Sequence, residues 1–252
     1  MGNTVTSAVV ITGGASGIGR GCATVLAEQG RNVALWDLQG DLARSTAAEI
    51  AAATGVRAIG LGIDVTDSST FAAAIDASRA ECGAIGGLVH AAGTVRSQSI
   101  GDLDEDGWDF VLDVNLRALP LLVQALHADL ASTPGGAIVG IASIEAWIGN
   151  GAIPAYCASK AGMLGVVRSL SDRLGPEGIR INAVCPGYIE TPMLAPTLGI
   201  PGIRERFVES TTLKRMGEPR DIGEPVAFLL SSGASFITGQ SLAVDGGVLA
   251  VD

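Results

Sequence analysis

The stretch Thr12-Gly13-Gly14-Ala15-Ser16-Gly17-Ile18-Gly19-Arg20 follows a short apolar run and precedes a helical pattern. Glycine permits the backbone angles of a tight strand-to-helix turn, and its missing side chain lets a diphosphate approach the main chain. The helix that follows offers free N–H groups and a partial positive charge to phosphates. In a first βαβ unit, this turn predicts a dinucleotide site with contacts from Gly13, Ser16, Gly17, Ile18 and Gly19.

The rest of the chain alternates short β-rich runs with longer helical patterns. The predicted strands are Ala8–Thr12, Asn32–Trp36, Arg57–Ile63, Gly87–His90, Ala137–Ala142, Ile179–Val184 and Ser241–Val244. The predicted helices are Ile18–Gln29, Asp41–Ala53, Ser68–Cys82, Glu105–Ala131, Ala155–Leu174 and Asp221–Leu230. Strands separated by helices imply right-handed crossovers and a parallel sheet. We therefore expect one α/β domain over residues 1–252, a Rossmann-type doubly wound seven-stranded parallel sheet with helices on both faces.

The segment from Tyr188 to Leu213 interrupts this alternation. It contains Pro192, Pro196 and Pro201 and shows little periodicity. Two interpretations remain open: a mobile flap that covers a substrate pocket, or an ordered surface excursion.

Composition excludes several classes of partner. The net charge is −10 and the pI is near 4.6, so the chain would repel a nucleic acid. Hydrophobic residues make up 48% of the chain, but no apolar run reaches the roughly 18 residues that a membrane span needs. The four cysteines form no CxxC pair, and residues 1–20 lack a basic segment followed by an apolar stretch, so we expect no secretory signal. We expect a cytoplasmic protein without a metal site or disulfides.

Asp37 ends the second predicted strand, where a carboxylate can accept hydrogen bonds from the adenosine ribose and repel a 2′-phosphate. The neighbouring candidates Leu38 and Ser16 supply no cation for such a phosphate. These residues favour NAD over NADP. Asp64, followed by Val65, can face the adenine or can cap a loop, and both interpretations remain open.

Tyr156 and Lys160 lie four residues apart in a predicted helix and therefore share one face. A free tyrosine titrates near 10, but a nearby ammonium stabilises the phenolate, and a shift of about 3 units requires roughly 4 kcal/mol. Such a pair can move a hydroxyl proton while a hydride moves to carbon. Ser143 follows the fifth strand, where its hydroxyl can orient a substrate oxygen. Asn115 lies within a predicted helix and by itself indicates little.

In order and spacing, these motifs resemble the short-chain dehydrogenase/reductase family over almost the whole chain. The matching pieces are Thr12-Gly13-x3-Gly17-x-Gly19, Asp64-Val65, Ala91-Ala92-Gly93, Asn115, Ser143, Tyr156-x3-Lys160, Pro186-Gly187-x3-Thr191 and Val244-Asp245-Gly246-Gly247.

The resemblance implies a catalytic tetrad. Tyr156 would be the acid/base, Ser143 would hold the substrate oxygen, and Lys160 would bind the nicotinamide ribose and lower the tyrosine pKa. Asn115 would hold a water that continues the proton relay. Further cofactor contacts would come from Ala91, Ala92, Gly93, Pro186, Gly187, Ile189 and Thr191. The resemblance also implies a homotetramer or homodimer, with the helix of Tyr156 and the long helix before it at one interface.

One position departs from the family, which usually has Asn where His90 stands. We interpret His90 as a structural substitute in this turn, because an imidazole also donates and accepts hydrogen bonds. The expected pocket is mostly apolar, which suits a secondary alcohol or ketone with a hydrophobic body. Its candidate residues are Val95, Arg96, Glu145, Ala146, Trp147, Ile153, Met193 and Leu194. Glu145 either binds a substrate hydroxyl or ammonium, or is a solvated loop residue.

Three functions compete at this point. The leading one is NAD-dependent hydride transfer to or from a small or lipophilic secondary alcohol or ketone. The second is an NADPH-dependent 3-oxoacyl thioester reductase. The third, a dinucleotide-binding sensor without turnover, is disfavoured because the chain keeps both Tyr156 and Lys160.

Overall fold

Seven parallel strands form one central sheet in the order β3-β2-β1-β4-β5-β6-β7. They are β1 (Ala8–Thr12), β2 (Val33–Asp37), β3 (Ala58–Gly62), β4 (Ile85–His90), β5 (Ala137–Ile141), β6 (Arg180–Pro186) and β7 (Ser241–Val244). This computed structural model describes residues 7–250. All seven predicted strands are confirmed, with ends displaced by at most two residues.

Helices connect the strands and cover both faces of the sheet. They are α1 (Gly17–Glu28), α2 (Gly40–Thr54), α3 (Phe71–Cys82), α4 (Glu105–Leu112), α5 (Ala118–Ser132), α6 (Pro154–Leu174), α7 (Ala195–Leu198), α8 (Ile203–Ser210) and α9 (Pro219–Leu229). The predicted helix Glu105–Ala131 is not a uniform α-helix, because a π-helical turn at Asp113–Arg117 separates α4 from α5.

The sheet is buried on both sides, as expected for a parallel sheet built of continuous apolar runs. Val10 and Leu88 pack towards α3, α5 and α6 in one core cluster. Val9 and Val89, their neighbours along the strands, pack towards α1 and α9 in the other. Side chains that alternate between two apolar layers explain why β1 and β5 contain no exposed residue.

The stretch Glu105–Ser132 is long and apolar enough to cross a membrane by length and composition alone. In this structure its apolar side chains pack inside the protein: Leu119, Leu122, Leu126 and Leu130 are buried in the core. The stretch therefore serves as a core helix of this domain.

The segment 188–213 contains the two short helices α7 and α8. The ring of Tyr188 stacks on that of Phe207 in α8, with centroids 4.0 Å apart. Ile189 also forms a parallel bridge with Gly217. These contacts give the segment the form of an ordered excursion, and its mobility stays a prediction.

Strand order reverses between β1 and β4, so the chain leaves these neighbouring strands towards opposite faces of the sheet. A crevice at the carboxyl ends of such strands is the usual ligand site of doubly wound sheets. Nearly all the predicted site residues lie at this edge.

Candidate active site

The glycine turn after β1 has the shape that a diphosphate requires. A Cβ added to Gly19 would lie 2.0 Å from the carbonyl oxygen of Gly13, so the turn can close only without a side chain there. Ser16 precedes α1 but makes no side-chain cap. The first N–H groups of α1 thus stay available for an anion. Gly13, Ser16, Gly17, Ile18 and Gly19 fit the predicted cradle.

Asp37 lies at the end of β2 and holds the glycine turn. Its Oδ2 accepts the N–H of Ala15 at 3.1 Å, and its Oδ1 accepts that of Gln39 at 3.0 Å. Each carboxylate oxygen keeps a second acceptor site, so these bonds are compatible with ribose recognition. Leu38 beside it is 75% exposed and offers no charge.

Asp64 caps a turn in this structure. Its Oδ1 accepts both the N–H of Thr66 at 2.9 Å and the Thr66 hydroxyl at 2.7 Å. Asp64 therefore caps its loop, as one of the two interpretations expects, and a contact with the adenine stays a prediction. Val65, the other predicted contact, is buried.

The segment after β6 crosses the crevice. Thr191 lies over the glycine turn, with its Cβ 3.5 Å from a Cβ placed on Gly17. Met193 reaches the turn after β4, with its Cε 3.9 Å from a Cβ placed on Gly93. The turn with Ala91, Ala92 and Gly93 and the segment with Pro186, Gly187, Ile189 and Thr191 thus both lie against the glycine turn or its neighbours, and their cofactor contacts stay a prediction.

Gly187 packs closely against the residue that follows the last strand of the sheet. A Cβ added there would lie 2.7 Å from the Cα of Asp245, directly after β7. The Asp245 carboxylate in turn accepts the N–H groups of Gly247 at 2.8 Å and Leu249 at 2.9 Å. The closing Val-Asp-Gly-Gly motif thus supports the loop expected to hold the nicotinamide end.

Ser143, Tyr156 and Lys160 meet next to this groove. The Ser143 hydroxyl acts on the Tyr156 phenol as a hydrogen-bonding group that lowers its pKa, and it accepts the N–H of Glu145 at 3.1 Å. Lys160 Nζ lies 5.5 Å from the centre of the Tyr156 ring. It donates to the Ile141 carbonyl at 2.8 Å. The predicted arrangement of hydroxyl, phenol and ammonium is therefore present.

The electrostatics of the free protein differ from the expected lowering of the tyrosine pKa. Burial raises the pKa of Tyr156 to about 12, against the opposing hydrogen bond from Ser143. Burial also lowers the pKa of Lys160 to about 8. The phenolate and the ammonium are both disfavoured in this dry site, and Lys160 points at a carbonyl instead of the phenol. Further positive charge is needed before Tyr156 can work as a base near neutral pH.

Asn115 lies on the π-helical turn between α4 and α5, which the sequence pattern did not indicate. Its Oδ1 accepts the Thr94 N–H at 2.8 Å, and its Nδ2 donates to the Thr94 carbonyl at 2.9 Å. The same Nδ2 donates to Ser159 Oγ at 3.0 Å. The side chain therefore ties the loop after Gly93 to α6, and the relay water implied by the resemblance stays a prediction.

Glu145 is half-buried in the short helical turn Ile144–Ala146 directly after Ser143. Its carboxylate accepts the Asn150 amide at 3.3 Å and lies 3.7 Å from Cys157 Sγ. After burial, its charge is a further cause of the raised pKa values of Tyr156 and Tyr188. Within residues 7–250, Glu145 makes no ion pair.

No metal centre accompanies this site in the part of the chain that the structure describes. No group of three His, Cys, Asp or Glu residues there is placed to hold an ion. Cys22, Cys82 and Cys185 are buried free thiols, and Cys157 is half-buried.

Fold and site together define a dinucleotide-dependent oxidoreductase that acts on CH–OH groups. The sequence profile of a family described as Enoyl-(Acyl carrier protein) reductase matches residues 13–249. A 3-oxoacyl-[acyl-carrier-protein] reductase from Chlamydia muridarum is 34% identical, covering 97% of this chain and 98% of its own. A cis-4-hydroxycyclohexanecarboxylate dehydrogenase from Sinomonas cyclohexanicum is 37% identical, covering 96% of both chains.

A solved structure agrees over the whole domain. It is provisionally described as a 2-deoxy-D-gluconate 3-dehydrogenase from Agrobacterium tumefaciens and contains bound NADP. It is 31% identical, covers 97% of both chains and has a TM-score of 0.88. The chain belongs to the short-chain dehydrogenase/reductase family.

Proposed function

We propose that this protein transfers a hydride between NAD and the carbon of a secondary alcohol or ketone on a small or lipophilic substrate. The observation that carries the proposal is the meeting of three groups at the carboxyl ends of the strands: the Ser143 hydroxyl acts on the Tyr156 phenol, and Lys160 Nζ lies 5.5 Å from the centre of the Tyr156 ring. This is the geometry of an acid/base next to an oxygen-binding hydroxyl.

Each polar side chain then has a role in alcohol oxidation. Ser143 Oγ holds the alcohol oxygen, and Tyr156 Oη takes its proton. The Lys160 ammonium reduces the free-energy cost of the phenolate through its charge. A bound nicotinamide supplies the hydride acceptor in oxidation and the hydride donor in reduction.

Asp37 supports the choice of NAD over NADP. A 2′-phosphate next to this carboxylate would be repelled. Two guanidiniums on the adjacent helices are already paired, Arg20 with Glu49 and Arg44 with Asp41. Initial rates with both cofactors test this choice, and a strong preference for NADPH would overturn it.

Glu145 supports a neutral substrate that carries a hydrogen-bond donor. An unpaired carboxylate near the reacting oxygen attracts a hydroxyl or ammonium and repels a carboxylate. The alternative, a 3-oxoacyl thioester reductase, is favoured by the similarity to the Chlamydia muridarum reductase. A panel of neutral secondary alcohols, diols, hydroxy acids and hydroxyacyl thioesters separates these substrates.

The two tyrosines of the chain offer a matched test of turnover. Tyr156→Phe should lower kcat by a factor of about 10² to 10⁴ while NAD affinity changes little, because the phenol is the acid/base. Tyr188→Phe keeps the ring that stacks on Phe207 and should retain activity within a few-fold. Full activity in Tyr156→Phe would refute the assignment, and NAD binding without turnover in the unmodified protein would favour a sensor.

We also propose a homotetramer or homodimer that associates through α5 and α6. Support comes from exposed apolar residues on the adjacent α4 and its preceding loop, where Phe110 is 42% and Ile100 90% exposed. Light scattering on the purified protein tests this, and a monomer at micromolar concentration would refute it.

A further inference from the structure

The first residues of the segment after β6 are fixed by main-chain hydrogen bonds. The Gly217 N–H donates to the Tyr188 carbonyl at 2.9 Å, and the Glu190 N–H donates to the Gly217 carbonyl at 2.8 Å. Ile189 between them is buried and forms the parallel bridge with Gly217. These three residues, 188–190, form a fixed base for the segment. The base places the next residue, Thr191, over the glycine turn.

The helix α8 is attached to this base by two of its side chains. None of the eight residues of α8 is buried, so the helix has no core of its own. The Arg204 guanidinium donates to both carboxylate oxygens of Glu190, at 2.6 and 3.1 Å. One turn further along α8, the Phe207 ring stacks on the Tyr188 ring. The helix therefore docks through one bidentate ion pair and one ring contact.

The backbone turns sharply on either side of α8. Gly202, directly before the helix, has φ +81°, and Lys214, four residues after its end, has φ +53°. Lys214 is the only non-glycine residue with a positive φ among residues 7–250. Such a conformation is costly for a residue with a Cβ and persists only where its surroundings impose it. The helix is thus bounded by two left-handed residues, between which it can move as one body.

The segment that α8 completes lies next to the catalytic groups. Met193 follows the base, and its Cε lies 3.9 Å from a Cβ placed on Gly93. The same Cβ position lies 3.7 Å from Lys160 Nζ. The docked segment therefore borders the side of the site where Lys160 stands.

We propose that Glu190 and Arg204 are positioning residues: their ion pair holds α8 in the docked position and so keeps the segment over the site during turnover. They act through α8 and not on the reacting atoms. The side chains of Arg204 and Glu190 are 49% and 45% exposed, so salt should weaken the pair. Bidentate geometry is the arrangement in which an exposed ion pair contributes most. The effect on substrate rests on the proposed function, whereas the docking of α8 does not.

Loss of the pair should raise KM and leave kcat almost unchanged. In Glu190→Gln and in Arg204→Met, α8 is docked for a smaller fraction of the time, and the apparent affinity falls by that fraction. We expect KM for the secondary alcohol to rise about three- to tenfold, with kcat within about twofold. Salt should act in the same direction: between 0.05 and 0.5 M KCl, roughly, KM of the unmodified enzyme should rise, and KM of both variants should stay constant.

Two further proteins make this test specific. The double variant Glu190→Arg with Arg204→Glu restores the pair with exchanged charges, and it should recover most of the lost affinity and the salt dependence. Arg79→Met is the matched control, because Arg79 forms a bidentate pair with Asp129 between α3 and α5, at 3.0 Å for both bonds. Its KM should equal that of the unmodified enzyme. An unchanged KM in both single variants, an equal rise in Arg79→Met, a fall in kcat alone or a lack of recovery in the double variant would overturn the proposal.

Hydrogen exchange followed by mass spectrometry tests the docking without a substrate. The amides of α8 should exchange about three- to tenfold faster in Arg204→Met than in the unmodified protein or in Arg79→Met, while those of α6 stay unchanged. Equal exchange of α8 in all three proteins would refute the proposal even in an active enzyme. Faster exchange of α8 in a protein that oxidises no alcohol would confirm the docking role of the pair and refute the proposed function instead.

Discussion

The buried ammonium of Lys160 opposes folding, and this effect can be measured. The residue is 4% exposed, and burial lowers its pKa from 10.5 to about 8. This difference in pKa between the unfolded and folded chains corresponds to roughly 3 kcal/mol. Between these two pKa values the unfolded chain binds more protons, so the free energy of unfolding rises with pH. Well below pH 8 the full penalty is present.

Lys160→Met removes the ionisable group and keeps an unbranched chain of similar length. The variant also leaves the Ile141 carbonyl without its donor at 2.8 Å, which costs about 1–3 kcal/mol. The absolute change in stability at pH 7 is therefore small. The decisive quantity is how the free energy of unfolding changes with pH. Between pH 7 and 10, the free energy of unfolding of the wild type should rise by about 2–3 kcal/mol relative to that of the variant.

Urea unfolding followed by tryptophan fluorescence, at fixed protein concentration and ionic strength, gives this slope at pH 7, 8, 9 and 10. Lys214→Met is the matched control, because Lys214 is the only other lysine and is exposed. We expect the free energy of unfolding of Lys214→Met to change with pH as that of the wild type does. If Lys160→Met also follows the wild type, the burial penalty on Lys160 is wrong, and with it the electrostatic description of the site.

Three further predictions concern other parts of the molecule. Gly19→Ala should weaken NAD binding at least tenfold by calorimetry and reduce stability by about 1–3 kcal/mol, because its Cβ meets backbone at 2.0 Å. Gly175 has helical backbone angles and open space around it, so Gly175→Ala should leave NAD affinity and stability unchanged. Equal effects of the two substitutions would contradict the dinucleotide site at the glycine turn. Asp221→Ala removes a bidentate ion pair with Arg215 and a helix cap. It should lower the free energy of unfolding, measured in urea at pH 7, by about 1–2 kcal/mol. Arg215 lowers the pKa of Asp221, so this difference should vanish as the pH falls through that lowered pKa; a constant difference argues against the pair. Glu145→Gln should raise kcat/KM for anionic hydroxy acids relative to neutral alcohols, and an unchanged ratio would place Glu145 outside the pocket.

The strands and the glycine turn were predictable because their signals are local. Val9, Val10 and Ile11 form a continuous apolar run, and a strand buried on both faces needs nothing else. Tyr156 and Lys160 were predictable as a pair because four residues make about one helical turn. Their meeting with Ser143 followed from the resemblance and from the parallel order of the strands.

The π turn, the helices α7 and α8, and the environment of His90 were not predictable. A one-residue slip at Asp113–Arg117 leaves the apolar periodicity of the long helix almost unchanged. Pro120, the signal that could have indicated a disturbed hydrogen-bond pattern, is tolerated in a helix for other reasons as well. The raised pKa of Tyr156 depends on burial by residues distant in sequence. The cytoplasmic location stays a prediction.

The contact between Gly187 and Asp245 has a consequence for synthesis. The chain is made from its amino terminus, and the dinucleotide half around β1 and β2 can form early. The loop expected at the nicotinamide end lacks its backing until β7 and Asp245 have left the ribosome. Until then, the groove side that carries Pro186 and Gly187 has no packed partner at its Cα edge. The backing of the loop after β6 therefore depends on residues that lie far downstream of the dinucleotide half.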